Sequence, residues 1–398
     1  MVVVGQICAD LIPALPAHQG RLEALLTPGH LLEVGPMVIS TGGGAANTGL
    51  ALQRLGTPVR LLGKVGGDTL GRVILELLTR HAPDLGDTIV VAPEAQSSYT
   101  VILSAPGVDR TFLHYPGPNT TLCAADVPDG LLQCARVLHV GYPPLLNCMA
   151  RNAGAELELL FRRARSLGVV TSLDMTMPDP AAETGAIAWP AFYARVLPWV
   201  DLFLPNIEET LFTLDRQLYT SLEAHSAGAG LLEQVDGDLL TAVSTRLLDL
   251  GAGVVGLKLG AQGMALRTTN DRRHLSRLES ALSLPRRIWR NRELLAPAFQ
   301  ATLVGTTGAG DCAVAGFLSG ILRGRSPEDT LTAAVATGSC NVEAADAISG
   351  VPSWDKVWER VNAGWQRIPT TLALRGWGWD ESRGLWIGPS DRGGQLAA

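Results

Sequence analysis

Long apolar runs are missing from this chain. None of its 398 residues falls in a stretch approaching the ~20 apolar residues that a membrane-spanning helix needs, although mean hydropathy is slightly positive at +0.19. The best candidate, Cys312 to Leu322, is far too short. The opening Met1-Val2-Val3-Val4-Gly5 has no basic segment and no A-x-A site, so it reads as a buried strand and not as a signal peptide. Cysteine is scarce. The six, at 8, 123, 134, 148, 312 and 340, form no C-x-x-C pair, which excludes a disulfide framework and a zinc-ribbon pattern. Reduced, mostly buried thiols in a cytoplasmic protein are the expectation. Charge is low and nearly balanced: 32 Lys and Arg against 38 Asp and Glu give −6. That balance excludes a general nucleic-acid or anionic-membrane binder. Two nucleotide signatures are also absent. No G-x-x-x-x-G-K-[ST] occurs, and no G-x-G-x-x-G follows a strand with a spaced acid.

What is present is globular and rich in glycine. Hydrophobic residues make up 46% of the chain, too many for wholesale disorder. The 44 glycines follow no period, which excludes collagen and linker arrays. Length alone suggests two or three domains at about 150 residues each. Strand-like apolar runs alternate with amphipathic stretches. Val59–Leu62, Val137–Val140, Val169–Leu173, Asp201–Leu204 and Val254–Leu259 read as strands. Ala45–Leu55, Leu70–Arg80, Ala155–Ser166, Leu239–Leu250, Ala313–Arg323 and Leu331–Glu343 read as helices. Thr100–Ser104 and Thr111–Tyr115 predict a hairpin around Pro106-Gly107. The alternation predicts an α/β fold, a doubly wound, mostly parallel sheet covered on both faces. Ligands in such sheets bind beyond the carboxyl ends of the strands. Asp10, Gly63, Asp174, Asn206 and Gly260 each follow a predicted strand, so they point to one shared site.

Two segments break the pattern. Arg272, Arg273, Arg277, Arg286, Arg287, Arg290 and Arg292 crowd into residues 268–300, which reads as a loop-like, solvated insert. Six of the nine Trp lie beyond residue 353, at 354, 358, 365, 377, 379 and 386. This predicts a C-terminal extension, 354–398, packed on the core or on a partner subunit.

The most informative stretch is Gly305-Thr306-Thr307-Gly308-Ala309-Gly310-Asp311, which runs straight into an apolar helix. Small residues let backbone amides converge, and the helix N-terminus adds partial positive charge, so the turn is an anion cradle. A carboxylate there would repel a bare phosphate. Asp311 makes sense as a base that takes a proton from an attacking hydroxyl while the amides hold the transferred group. The plainer alternative is an Asp in the first turn of a helix after a glycine turn. A second cluster, Thr41-Gly42-Gly43-Gly44-Ala45-Ala46-Asn47, also leads into a helix. Glycine would let a hydroxylated ligand approach the backbone, and Asn47 can donate and accept toward a polyol.

These two clusters together resemble the two signatures of the ribokinase-like (PfkB) carbohydrate kinases. The resemblance runs from Val2 to about Ser353. Gly63-Lys64-Val65-Gly66-Gly67-Asp68 is similar to the family's G-x-[VI]-G-x-D turn, and Arg110-Thr111-Phe112 with His114 through Asn119 to its lid return. Asn206-Ile207-Glu208-Glu209 matches N-x-x-E, Lys258 through Gly263 a strand-turn at the nucleotide phosphates, and Gly308-Ala309-Gly310-Asp311 the family's G-A-G-D. The resemblance implies a kinase core over 1–353 with a small β lid from about 11–40 and 96–118. It implies ATP-dependent phosphoryl transfer to a hydroxyl of a sugar or related polyol. Asp311 would be the base, with the amides of Gly308, Ala309 and Gly310 as the anion hole. Asp10, Gly42, Gly43, Asn47, Arg110 and Asn119 would bind substrate. Asn206, Lys258, Gly260, Gly263 and Thr307 would bind nucleotide, and Glu209 would hold Mg²⁺ through water. The acid that family members often carry six residues before the base, part of a monovalent-cation site, is Gly305 here. A nucleoside kinase and a catalytically weak ligand-binding member of the fold are the alternatives. The partner expected is a small sugar-like molecule, with neither membrane nor nucleic acid, and a homodimer through the lid is implied by the family.

Overall fold

The structure is a computed structural model that describes residues 1–16, 28–104, 111–226 and 230–391. Three successive valines start the chain, and β-branched side chains favour an extended backbone. Val2–Gly5 accordingly forms a strand buried on both faces, with Val3 in one hydrophobic core and Val2 and Val4 in the other. Among the described residues, ten strands make the main sheet. Its order is Gly378–Asp380, Leu385–Ile387, Glu293–Ala296, Met264–Thr268, Val254–Lys258, Leu202–Phe203, Val170–Leu173, Val137–Gly141, Val2–Gly5, Arg60–Leu62. The six from Val254–Lys258 onward are parallel; the other four join antiparallel.

Helices cover both faces. Gly44–Arg54, Arg272–Leu282, Ala309–Leu322 and Pro327–Asn341 pack on the Val3 side through Leu50, Leu275, Phe317 and Leu331. Asn147–Ser166, Trp189–Val196, Ile207–Leu214 and Gly237–Asp249 pack on the other through Leu157, Phe192, Leu211 and Leu240. This is the expected doubly wound α/β architecture. A second sheet of four strands stands apart, in the order Met37–Gly42, Cys8–Pro13, Tyr99–Leu103, Thr111–Tyr115. The last two form the predicted antiparallel hairpin. No helix among the described residues is long and apolar enough to cross a membrane.

Two expectations need correction. Residues 268–300 are not a loop-like insert. Arg272–Leu282 is a helix that turns Arg272 and Arg273 outward, pairs Arg277 with the buried Asp201 and buries Leu275, Leu278 and Leu282, and Glu293–Ala296 is a fully buried strand of the main sheet. The count of arginines hid an amphipathic period of three and four. Nor is the stretch after 353 a mere appendage. Leu385–Ile387 pairs with Glu293–Ala296 and extends the main sheet, and Trp354 and Trp377 are buried. Trp365 stacks on Phe299 at 4.5 Å between ring centroids, at 19°.

Leu385 is fully buried against that core. Leu385→Ala should therefore destabilise the protein by about 2–5 kcal/mol in a single cooperative denaturant transition. A loss below about 0.5 kcal/mol would mean that the tail rides on a core it does not stabilise.

Candidate active site

The two glycine clusters meet at one place. Gly308 caps the helix Ala309–Leu322 with φ 72 and ψ −2, a left-handed conformation that a Cβ would drive into the Ala347 carbonyl. The helix Gly44–Arg54 packs against it, which carries Asn47 and Thr48 to the first turn that holds Asp311. Asp311 is 3% exposed and receives three side-chain donors. Tyr142 donates to Oδ1 at 2.7 Å, Asn47 Nδ2 to Oδ2 at 2.9 Å, and Thr48 to Oδ1 at 3.4 Å. Burial pushes the Asp311 carboxyl up to about 6, helped by the neighbouring Asp174 charge and opposed by Lys258, Asn47 and Tyr142.

Behind Asp311 lies a buried ion pair. Lys258 Nζ reaches both oxygens of Asp174 at 2.7 Å. Burial alone would lower the Lys258 ammonium, but the carboxylates of Asp174, Glu209 and Asp311 outweigh it and keep it charged. Asp174 follows the strand Val170–Leu173, and Lys258 ends the strand Val254–Lys258, so the carboxyl ends of two strands that flank Leu202–Phe203 deliver the pair. Asn206 and Glu209 form a reciprocal cap on the helix Ile207–Leu214, each side chain accepting from the other's amide at 2.7 and 2.9 Å.

In front of Asp311 opens a cavity of ≈ 840 Å³, lined by Asp10, Asn47, Thr100, Tyr142, Thr307 and Gly308 among others. Asp10 lies 6% exposed, in contact with the Cys8 thiol at 3.3 Å. Burial raises its carboxyl to about 6, against the pull of Cys8 and Thr100. A larger cavity of ≈ 1330 Å³ lies elsewhere, beside the helix Pro327–Asn341 and the tail, and neither glycine cluster reaches it.

The structure divides the predicted residues. Asp10, Gly43, Asn47, Thr307, Gly308 and Asp311 line the cavity together. Asp10 arrives differently from expectation. The first main-sheet strand ends at Gly5, and Asp10 sits within Cys8–Pro13 of the second sheet. Asn47 turns its Nδ2 to Asp311 rather than to the open cavity. The glycines of the second cluster are required by neighbouring side chains, not by an open approach. A Cβ on Gly42 would strike the Asp10 carboxylate, one on Gly43 would strike Gln6, and one on Gly44 would come 2.9 Å from the Tyr142 ring. Asn119 is fully buried, with Nδ2 donating to Ile7 and Pro116 carbonyls and Oδ1 accepting from the Ile7 amide. It is a clamp on the loop and has no donor left for substrate. Asp68 likewise caps Thr69–His81 and binds Ser97. Gly260 and Gly263 shape a turn outside the cavity lining, where a Cβ on Gly263 would strike the Ala296 carbonyl. Gly305 has no room for the family's acid, since a Cβ would come 2.9 Å from the Ala344 carbonyl. Arg110 lies outside the described residues.

Sequence reasoning missed Tyr142, Thr48 and Thr100. Tyr142 follows the strand Val137–Gly141, so the rule that singled out Asp174 applied to it as well. It adopts φ 63 and ψ 52, an uncommon conformation for a residue with a side chain.

The model of the pfkB family of carbohydrate kinases matches residues 1–354. The chain belongs to this family. A PfkB carbohydrate kinase moves a phosphoryl group onto a sugar hydroxyl. Over 343 residues the kinase is 26% identical to 2-dehydro-3-deoxygluconokinase of Bacillus subtilis, covering 83% of this chain and 89% of that one. Its fold is similar to a ribokinase of Arabidopsis thaliana solved with ribose and ATP, with TM-score 0.63, 18% identity, and 90% and 97% of the two chains covered. It is also similar to a fructokinase of Xylella fastidiosa solved with bound ATP, with TM-score 0.66, 19% identity, and 91% and 98% covered.

Tyr142 gives the kinase a position to test. Tyr142→Phe keeps the ring against Gly44 and removes one donor from Asp311. The Asp311 carboxyl should then rise, moving the acid limb of kcat/KM up by about 0.5–1 pH unit, and kcat should fall about threefold to tenfold. An unmoved limb with unchanged kcat would make Tyr142 a wall of the cavity and nothing more.

Proposed function

We propose that this cavity seats ATP and a sugar-like acceptor in line, with Asp311 as the general base. The acceptor hydroxyl gives its proton to Asp311 as its oxygen attacks the γ-phosphorus. The bond from that phosphorus to the β,γ-bridging oxygen breaks, and ADP leaves. The observation that carries this reading is a buried carboxylate, raised to about 6 and fixed by three donors, set in the first turn of a helix behind a glycine turn. Both features match what the transfer needs. The carboxylate is ionised at neutral pH yet close enough to accept a proton. The helix N-terminus and the Gly308–Asp311 amides favour the charge on the transferred group.

The residues also fit Mg²⁺. That ion keeps several waters and is held through one or two carboxylates and the phosphates rather than by a protein cage. Among the described residues no group of three or more His, Cys, Asp or Glu is set to hold a metal alone. Glu209 would act through water, its Oε2 accepting from the Asn206 amide and its carboxyl within the electrostatic reach of Lys258 and Asp174. When bound, the ion neutralises phosphate charge. Lys258 contributes the fixed positive charge that the protein itself supplies.

The second sheet would act as the lid. Its hairpin strand Thr111–Tyr115 is exposed along its length and forms one edge, with Phe112 and Leu113 more than half exposed. An exposed apolar edge of this kind suits pairing with a second copy. The six free thiols suit a reducing compartment such as the cytoplasm.

Asp311→Asn should lower kcat by at least about a thousandfold without lowering the melting temperature, because it removes a buried charge along with the base. Near-normal turnover would overturn the mechanism. The wild-type profile has a sign as well. Asp10 and Asp311 must both be ionised, and burial holds each at about 6. kcat/KM should therefore be flat above pH about 7 and fall below 6 with a slope approaching two. A limb centred near pH 4 would mean that neither carboxylate is raised in solution.

A further inference from the structure

The glycine turn before Asp311 leans on the loop that follows the helix Pro327–Asn341. Asn341 Nδ2 donates to the Thr307 carbonyl at 2.8 Å, and the amides of Val304 and Gly305 donate to the Val342 carbonyl at 2.8 and 3.2 Å. The Ala347 carbonyl accepts from the Cys312 thiol at 3.3 Å. It is also the atom that a Cβ on Gly308 would strike. Residues 341–347 therefore set where the amides of Gly308, Ala309 and Gly310 stand. A shift of this loop moves the cradle.

The loop in turn is fixed from across the fold. Val351 is fully buried in the core that the helix Gly44–Arg54 shares. Asp346 Oδ1 accepts from the Ile348 and Ser349 amides at 2.9 and 2.6 Å. Burial would raise this carboxyl, but the two amides, the Ser349 hydroxyl and the charge of Arg54 outweigh it and hold it below its ordinary value. Arg54 Nε donates to the Val351 carbonyl at 2.7 Å, and its Nη2 to the Ser349 carbonyl at 3.1 Å. One planar guanidinium spans both oxygens, a bridge whose geometry a lysine ammonium does not reproduce.

The place of Arg54 in the chain matters as much as its bonds. It ends the helix Gly44–Arg54, which has 11 residues, a length of about 16 Å. The first turn of that helix carries Asn47 onto Asp311, with Thr48 beside it. One rigid element thus holds the carboxylate at its start and the loop behind the cradle at its end.

We infer that Arg54 is a positioning residue for phosphoryl transfer: through the loop 344–351 it fixes the amides of Gly308, Ala309 and Gly310 relative to Asp311 and its donors. The inference rests on the phosphotransfer reading of the cavity. Arg54 does not line that cavity, so its removal leaves Asp10, Asn47 and Tyr142 where they are. The loss falls on the group that the cradle holds and not on the acceptor. A displacement of about 1 Å caused far from the chemistry is enough to cost about a hundredfold in rate.

The test is Arg54→Met in the full chain, which keeps an apolar stem and removes both donors. Wild type and variant are compared with ATP, Mg²⁺ and whichever of ribose, fructose and 2-dehydro-3-deoxygluconate the wild type turns over fastest. The variant's kcat/KM for ATP should fall about tenfold to a hundredfold, while KM for the sugar stays within about twofold. Amide hydrogen exchange should quicken in peptides covering 305–312 as well as 343–351. ATP parameters within about twofold of wild type, or equal rises in both KM values, overturn the inference and leave the kinase reading standing. If Arg54→Met fails to fold, Arg54→Lys, which keeps the charge but not the span of two carbonyls, carries the same comparison. If the wild type turns over no sugar, the kinase reading fails and hydrogen exchange decides the inference alone. Faster exchange in both segments supports the link from Arg54 to the cradle. A change confined to 343–351, or none, overturns it.

Discussion

The Lys258–Asp174 pair is the interaction on which the rest of the site depends. Four ionisable groups, Asp174, Glu209, Lys258 and Asp311, are buried within reach of one another at the carboxyl ends of the sheet. Three are acids. Without the ammonium they could not share so dry a space in the ionised form. A buried ion pair is weak evidence for stability, because desolvation offsets most of its attraction, and hydrophobic replacements often fold as well or better. What the pair does here is electrostatic: the Lys258 ammonium offsets the surrounding acids and opposes the rise of the Asp311 carboxyl.

The scaffold explains how these groups come together. Parallel strands end on one side of the sheet, so residues far apart in sequence reach the same edge. Two helices then complete the arrangement from the opposite direction. Gly44–Arg54 and Ala309–Leu322 pack together by their N-terminal turns, and Asn47 and Thr48 become ligands of a carboxylate more than 260 residues away. The three glycines before Asn47 serve this convergence. Each makes room for a different neighbour, Asp10, Gln6 or Tyr142, so the loop can thread between the sheet and the base.

Much of this was legible in the chain. Val2–Gly5, the hairpin of the second sheet and the helix behind Gly308 follow from β-branched runs, alternation and a glycine stop. Asp311 could be proposed as the base because a carboxylate beside an anion cradle is chemically odd. Other parts were not legible, for identifiable reasons. The seven arginines of 268–300 drew attention to charge, while the leucines that bury the helix Arg272–Leu282 carried the structural information. The tail from 354 looked separable because its tryptophans cluster. Its strand Leu385–Ile387 instead pairs with a strand some ninety residues earlier, and nothing local encodes that partner. Asn119 was expected to bind substrate, yet it closes hydrogen bonds to the backbone of Ile7 and Pro116.

By itself, the sequence determined the fold class and the family, and it singled out Asp311 as the carboxylate proposed to be the base. These rest on local patterns of apolar spacing and on short motifs whose chemistry is carried within a few residues. Tertiary structure alone decided the state of the base and the character of its surroundings. Asp311 is raised because burial and Asp174 act on it, and it is held by Tyr142, Asn47 and Thr48 from two other elements. Asp10 meets the same cavity only because the second sheet carries it there. Burial and long-range electrostatics depend on what surrounds a group in space, and the order of residues along the chain does not contain that directly.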